Sequence, residues 1–165
     1  MIVRTRFAPS PTGSLHVGGL RTALYAWLLA KQSKGQFLLR IENTDQERSV
    51  PGTIESILRC LRWADILPDE GVTLERGVVA QKGPHGPYIQ SERKEIYQEY
   101  ARHLLAQGHA YHCFCSKERL EEMRKAQEER HQAPMYDRHC AAIPKEVAEE
   151  RAAAGEPHVL RMKIP

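Results

Sequence analysis

The sequence predicts an α/β fold, a parallel sheet covered by helices, followed by a smaller α+β segment. Three observations predict it. Ile2 to Phe7 reads as a short strand. A helix begins near Gly18, with Leu20, Leu24, Trp27 and Leu28 on a single apolar face. Phe37 to Glu42 is then apolar and continuous, as expected of a strand covered on both faces. Strand, helix and strand in that order predict a parallel pair joined by a right-handed crossover. Glu42 and Asp45 fall at the carboxyl end of the second strand, the edge where open α/β sheets bind ligands.

The other elements follow in order. Lys31 and Lys34 lie in the last turn of the first helix, and Gly35 suits its C′ position. Pro51 fits a first helical position, and Ile54, Ile57, Leu58 and Leu61 give this second helix its apolar face, with Trp63 near its end. Pro68 to Gly86 is rich in Gly, Asp and Pro and reads as a surface loop. Ser91 is the predicted N-cap of a third helix, which carries Ile96, Tyr100 and Leu104 on one side and stops at Gly108. Ala110 to Cys115 reads as a strand. Ser116 caps a fourth, mostly charged helix in which Leu120 and Met123 are the only large apolar residues. Gln132 to Pro144 is irregular, Pro144 opens an alanine-rich helix that Gly155 ends, and His158 to Ile164 forms a last strand. The predicted organisation is one domain over 1–108 and a second over 109–165, with the boundary between 85 and 110. No internal repeat interrupts it.

Bulk properties narrow the function classes. A chain of 165 residues holds one ordinary core, or one domain and part of another. A net charge of +3 permits a polyanionic partner without requiring one. No stretch has the pattern of a signal peptide or a membrane span, so a cytoplasmic protein is expected, with no membrane partner. Four cysteines in that setting point to core positions or a metal site rather than a disulfide framework.

The chemistry concentrates in Arg6-Phe7-Ala8-Pro9-Ser10-Pro11-Thr12-Gly13-Ser14-Leu15-His16-Val17-Gly18-Gly19-Leu20-Arg21-Thr22-Ala23-Leu24. It sits where the first strand meets the first helix. Unpaired N–H groups and the positive end of the helix dipole suit an anion there. His16 can donate to a phosphate or ribose oxygen, and Gly18 and Gly19 leave room for a nucleotide against the helix start. The alternative is a tight turn in which the glycines serve packing and His16 is a solvated cap.

This stretch resembles the nucleotide-binding signature of class I aminoacyl-tRNA synthetases, a His-x-Gly-His type motif that reads His16-Val17-Gly18-Gly19 here, with glycine in the last place. Ala8-Pro9-Ser10-Pro11-Thr12-Gly13 and Arg21-Thr22-Ala23-Leu24 resemble the glutamyl branch rather than the glutaminyl one. Arg40-Ile41-Glu42-Asn43-Thr44-Asp45, Gly86-Pro87-Tyr88-Ile89-Gln90-Ser91 and His158-Val159-Leu160-Arg161 extend the resemblance along the whole chain. The resemblance implies the first half of a Rossmann-type domain with an inserted, truncated α+β acceptor-binding subdomain. It implies ATP with Mg²⁺, L-glutamate and the acceptor end of tRNA(Glu) as ligands, and a monomeric enzyme. Its second, lysine-rich motif and an anticodon-binding domain have no counterpart here. The expectation is therefore an N-terminal piece of a ligase, inactive by itself.

By that resemblance His16, Gly18 and Gly19 are the catalytic residues. Pro9, Ser10, Pro11, Thr12 and Gly13 join them around the nucleotide. Arg6, Ala8 and Ser10 line the amino-acid pocket, and Glu42 receives the substrate ammonium. Arg6 can grip a carboxylate in a bidentate pair, although Arg6 and Glu42 could equally pair with each other across adjacent strands. Asp45, Glu47 and Arg48 are either close to the tRNA terminus or a plain helix-entry cluster. Tyr88, Gln90, Ser91 and Arg93 read mainly as structural.

Cys113-Phe114-Cys115 and Cys140 form a second constellation. Some glutamyl enzymes carry a Cys-x-Cys … Cys-x-His zinc site, and Ala142 stands where its histidine would be. His139, His112 or His131 could substitute. Tyr136 has the spacing of a tyrosine ligand in the related queuosine-modifying synthetase. The alternative is three reduced thiols without metal. Cys60 is read as core. Lys117, Arg119, Arg124, Lys125, Arg130, Arg138 and Arg151 alternate with glutamates and read as a solvated face. The rival functions are a glutamyl-queuosine tRNA(Asp) synthetase, a non-catalytic nucleotide- or RNA-binding module, and a purely zinc-stabilised structural domain.

Overall fold

A computed structural model describes residues 2–45 and 47–164; Met1, Gln46 and Pro165 lie outside them. The chain divides into two compact units, Met1–Glu95 and Ile96–Pro165.

The first unit is built on a four-stranded sheet ordered β1 (Arg4–Phe7), β2 (Gln36–Leu39), β3 (Glu70–Glu75) and β4 (Val78–Lys82). The first three strands run parallel, as predicted for the opening pair, and β4 returns antiparallel. Helix α1 (Val17–Gln32) links β1 to β2, and α2 (Thr53–Trp63) precedes β3. Past β2 the chain stays extended. Ile41 donates to the Tyr88 carbonyl at 2.9 Å and accepts from the Gln90 N–H at 2.8 Å, a parallel bridge to Ile89.

One face of the sheet makes the core. Phe37, Leu39, Ile41 and Val72 are fully buried there with Ile57, Leu58 and Leu61 of α2. Helix α1 contributes Ala23 and Ala30, supported by Leu20 and Trp27. The predicted stripe on α1 is thus half right. Leu24 and Leu28 are 39% and 46% exposed, and alanines take the buried positions. Small residues let the helix lie close to the sheet, where Thr5 Oγ1 donates to the Ala26 carbonyl at 2.7 Å.

Four other expectations need correction. Pro68 to Gly86 contains the β3–β4 hairpin, turned by Arg76 and Gly77, both at positive φ (49° and 84°), as a tight two-residue hairpin requires. The helix at Pro51 begins at Thr53 instead, behind Gly52 at the N-cap, and Trp63 is 84% exposed. The C′ position of α1 is Lys34, at φ +50°, and not Gly35. Gly35 follows it, and its N–H reaches the Ala30 carbonyl at 2.8 Å while that of Lys34 reaches Lys31 at 3.1 Å, the paired bonds of a Schellman end. A Cβ on Gly35 would lie 2.1 Å from the Val3 carbonyl oxygen. Finally, Ser91 lies inside a 3₁₀ turn (Gln90–Arg93), and its hydroxyl accepts from Asn43 rather than from a helix N–H.

The second unit pairs β5 (Ala110–Cys113) with β6 (Val159–Met162) antiparallel, Cys113 opposite Val159. Helix α3 (Lys94–Ala106) leads into β5. Helix α4 (Lys117–Glu129), a 3₁₀ turn (His139–Ala142) and α5 (Lys145–Ala153) lie between the strands. Ser116 caps α4 as expected, accepting from Arg119 N at 3.2 Å. Gly108 and Gly155 end α3 and α5 with φ of +75° and +81°. No helix among the described residues is long and apolar enough to cross a membrane.

Candidate nucleotide cleft and cysteine centre

The end of β1 and the start of α1 enclose a cleft of about 440 Å³. Of the residues predicted to hold a nucleotide, Pro9, Ser10, Thr12, Gly13, His16 and Gly19 line it. Pro11 is buried, and the Val50 N–H donates to its carbonyl at 3.0 Å. The Glu42 N–H donates to the Pro9 carbonyl at 3.0 Å and Arg40 N–H to that of Phe7 at 3.1 Å. The loop after β1 is therefore zipped to the one after β2, which holds the cleft wall in place without long side chains.

His16 is the N-cap of α1. Its Nδ1 accepts from the Gly18 N–H at 3.1 Å, so the proton of the neutral ring sits on Nε2. The ring is exposed, and that N–H remains as a donor. A Cβ at Gly18 would come within 2.9 Å of the ring, so glycine is what lets the imidazole fold over the helix start. Gly19 is confined by Leu15, whose Cδ1 a Cβ would approach to 2.7 Å. Cap and donor are thus two uses of the same ring. Histidine is also an unusual cap, since Ser, Thr, Asp and Asn are the common ones.

The amino-acid residues are arranged differently. Arg6 is opposite Leu38 in the sheet, and Arg40 and Glu42 follow Leu38 at two-residue steps on that face, away from the core. Arg6 is exposed and Ala8 half-buried; neither they nor Glu42 line the cleft. Arg6 and Glu42 do not pair. Glu42 Oε1 instead accepts from Arg40 Nη2 at 2.5 Å, while Arg40 Nε is buried without a hydrogen-bond partner among the described residues. Asp45 is bound locally by the Arg48 side chain, with the Arg48 N–H assisting, and both bonds hold its carboxyl below the usual range. Tyr88 is structural: its hydroxyl donates at 2.6 Å to the buried Glu70, which also pairs with Arg4 at 2.5 Å.

In the second unit the sulfurs of Cys113, Cys115 and Cys140 lie within 4.8 Å of one another, Cys115 and Cys140 at 3.5 Å. Tyr136 Oη is 3.2 Å from both Cys113 and Cys115 and accepts from the Cys140 N–H at 3.2 Å. Burial acts to raise the Cys113 thiol, but bonding from Tyr136 and the Cys115 backbone, with the Arg161 guanidinium, brings it down to about 7. Burial and the neighbouring thiols push Cys115 up. Zinc bound by thiolates at ~2.3 Å in a tetrahedron needs sulfurs ~3.8 Å apart and one more ligand. Three sulfurs and a phenol at these distances fit that ion. Of the proposed fourth ligands, Tyr136 is the one at the sulfurs. His112 instead stacks on Phe114 and meets His158 edge-on, and no histidine joins the cluster among the described residues.

The family model described as "tRNA synthetases class I (E and Q), catalytic domain" matches residues 2–165. The chain belongs to this family. It is 53% identical over 163 residues to a glutamate–tRNA ligase of Alkaliphilus metalliredigens and 52% identical over 166 residues to one of Clostridioides difficile. A crystal structure of a glutamate tRNA ligase from Elizabethkingia meningosepticum, in complex with its amino acid, superposes with a TM-score of 0.85 at 41% identity over 100% of this chain. The chain spans about a third of the length of these relatives (33%, 34% and 33%).

Within this class I domain, sequence reasoning missed Arg40, Asn43, Arg119 and Arg161. Asn43 forms a reciprocal pair with Ser91, side-chain amide to hydroxyl and backbone N–H to amide oxygen, both at 2.9 Å, and ties the Glu42 loop to the turn before α3. Four of the seven residues assigned to a solvated face have partners, Lys125 with Glu121 one helical turn away and three others beyond their own turn. Arg119 pairs with Asp137 at 2.6 Å and touches Cys115, Arg138 reaches the Ile164 carbonyl, and Arg151 binds Glu156 and stacks on Phe114. Their partners lie up to 37 residues away, so local charge alternation carries no sign of them. Arg40 alone had a signal, two residues before Glu42 on the same strand face.

Proposed function

We propose that this chain is the ATP- and glutamate-binding part of a glutamate–tRNA ligase, a cytoplasmic, monomeric enzyme that makes glutamyl-adenylate and transfers glutamate to the 3′ end of tRNA(Glu). The observation that carries this reading is the cleft at the α1 N-terminus, lined by an exposed imidazole whose Nδ1 is already engaged and set at the positive end of the helix dipole. Activation is an attack by a glutamate carboxylate oxygen on the α-phosphorus of ATP, with pyrophosphate leaving. It needs no protein nucleophile, and the protein supplies position and charge. His16 Nε2–H binds a phosphate oxygen, while the helix start and the hydroxyls of Ser10 and Thr12 complete the cradle. Pro9 to Gly13 form its wall, Gly18 and Gly19 let the nucleotide approach the helix, and Arg6, Ala8 and Ser10 meet the glutamate across the β1 edge. The Arg40–Glu42 pair orients the carboxylate that takes the substrate ammonium. No carboxylate lines the cleft among the described residues, so magnesium would arrive on the nucleotide, where it neutralises phosphate charge.

The second unit receives the acceptor end. Cys113, Cys115, Cys140 and Tyr136 would hold a structural zinc ion that ties β5 to the loop and turn around Cys140. The named relatives are glutamate–tRNA ligases, and the queuosine-type alternative is not favoured.

The test is a chimaera in which these residues replace the matching third of the A. metalliredigens ligase. It should charge tRNA(Glu) and not tRNA(Asp), and His16→Ala should reduce the rate by roughly a hundredfold, the scale of one lost phosphate-stabilising donor. A folded chimaera that charges neither tRNA, or charges equally well without His16, contradicts the proposal.

A further inference from the structure

The zinc reading leaves open what keeps a neutral phenol, a weak ligand, at the fourth position. Tyr136 stands in an irregular segment, held on one side by the Gln127–Met135 pair (2.7 and 3.0 Å) and on the other by Arg138 on the Ile164 carbonyl (2.8 Å). Those bonds fix the backbone, and the ring itself is anchored at its hydroxyl by Cys113, Cys115 and the Cys140 N–H, which leaves its face to be supported. What faces the ring is Arg161 of β6, whose guanidinium carbon lies 4.1 Å from the ring centroid. Its Nε is buried without a hydrogen-bond partner among the described residues, while the guanidinium also bonds the Cys113 thiol.

We propose that Arg161 is a positioning residue of the cysteine centre: it clamps the Tyr136 ring so that the hydroxyl stays equidistant from Cys113 and Cys115, and it supplies charge to a metal bound by three thiolates. The proposal rests on the zinc reading above. Three thiolates and one divalent ion sum to −1, and a phenol that loses its proton makes the sum −2. Arg161 on the Tyr136 side and Arg119, 3.4 Å from Cys115 Sγ, offset this from two directions. Only Arg161 touches the tyrosine. A planar guanidinium can lie flat on a ring and carry charge together, which an ammonium cannot.

The experiment measures zinc affinity of the whole chain by competition with a chromogenic chelator, and the visible spectrum of its cobalt-loaded form. Arg161→Met should weaken zinc by tenfold or more, within the range seen when groups supporting a metal ligand are removed, and Tyr136→Phe should do the same. The double variant should lose less than the sum of the two single losses, because the ring clamp is lost only once, while the Arg161 charge beside Cys113 is lost in addition. Arg119→Met should add its own loss to that of Tyr136→Phe. The cobalt spectra of Arg161→Met and Tyr136→Phe should resemble each other and differ from wild type. Arg161→Lys, which keeps the charge and loses the plane, should fall between wild type and Arg161→Met, and it guards against a methionine variant that fails to fold. Additive losses in the double variant, or full affinity in Arg161→Lys, overturn the proposal while leaving the zinc site standing. A wild-type chain that takes up neither zinc nor cobalt overturns the zinc reading itself.

Discussion

Asp69 binds three pieces of the first unit together with one side chain. Its Oδ2 accepts from the Phe37 N–H at 2.8 Å, its own N–H donates to the Phe37 carbonyl at 2.9 Å, and Lys31 Nζ reaches both carboxylate oxygens at 2.8 and 3.0 Å. Burial acts to raise its pKa, but Lys31 and the Phe37 N–H outweigh that and hold it below the ordinary value. A folded-state pKa below the unfolded one means the stabilisation is present above about pH 4 and fades as pH falls through the folded value. Asp69→Asn should therefore destabilise the first unit by about 1 kcal/mol at pH 7, the worth of one such bond. The difference should shrink below pH 4. Urea melts at pH 7 and pH 3 check this, and an undiminished difference at pH 3 would show that the carboxylate charge is irrelevant. Nothing near Asp69 in sequence marks the role, because both partners lie more than 30 residues upstream.

Among the elements, local signals were readable where local physics decides. Ser116, Gly108 and Gly155 act as predicted, since a cap or a left-handed helix end is settled within a few residues. The hairpin Glu70–Lys82 was hidden because its flanking glycines, proline and acids resemble a loop, and its pairing with β2 is decided only in the assembled sheet. The buried face of α1 was misread for a related reason. Hydrophobicity favours the leucines, but close approach to the sheet favours Ala23 and Ala30. Lys34 breaks the usual rule outright, with a lysine held at φ +50° where glycine is at ease. Lys34→Gly should then stabilise the first unit by about 0.5–1 kcal/mol, the left-handed strain it removes being partly cancelled by a more flexible unfolded chain. Chemical denaturation reads it directly, and a destabilised variant would mean that the lysine side chain has a compensating contact.

For the whole molecule, the sequence specified the family and the nucleotide turn because these sit in one contiguous string, Arg6 to Leu24. The cysteine cluster was legible as ligand types, while its fourth member needed distances. The glutamate side was the least legible. Arg6, Ala8 and Glu42 stand near the β1 edge but outside the cleft, and Glu42 is paired with Arg40 rather than free. The account of function therefore depends on the cleft itself taking ATP. The most direct measurement is an ATP titration of the isotope-labelled chain followed by amide chemical shifts, repeated with His16→Asn, which keeps a good helix cap but lacks the imidazole donor. The account predicts saturable shifts centred on Ser10 to Gly19 that disappear in His16→Asn while the fold persists. Shifts centred elsewhere, or an undiminished response without His16, would contradict it.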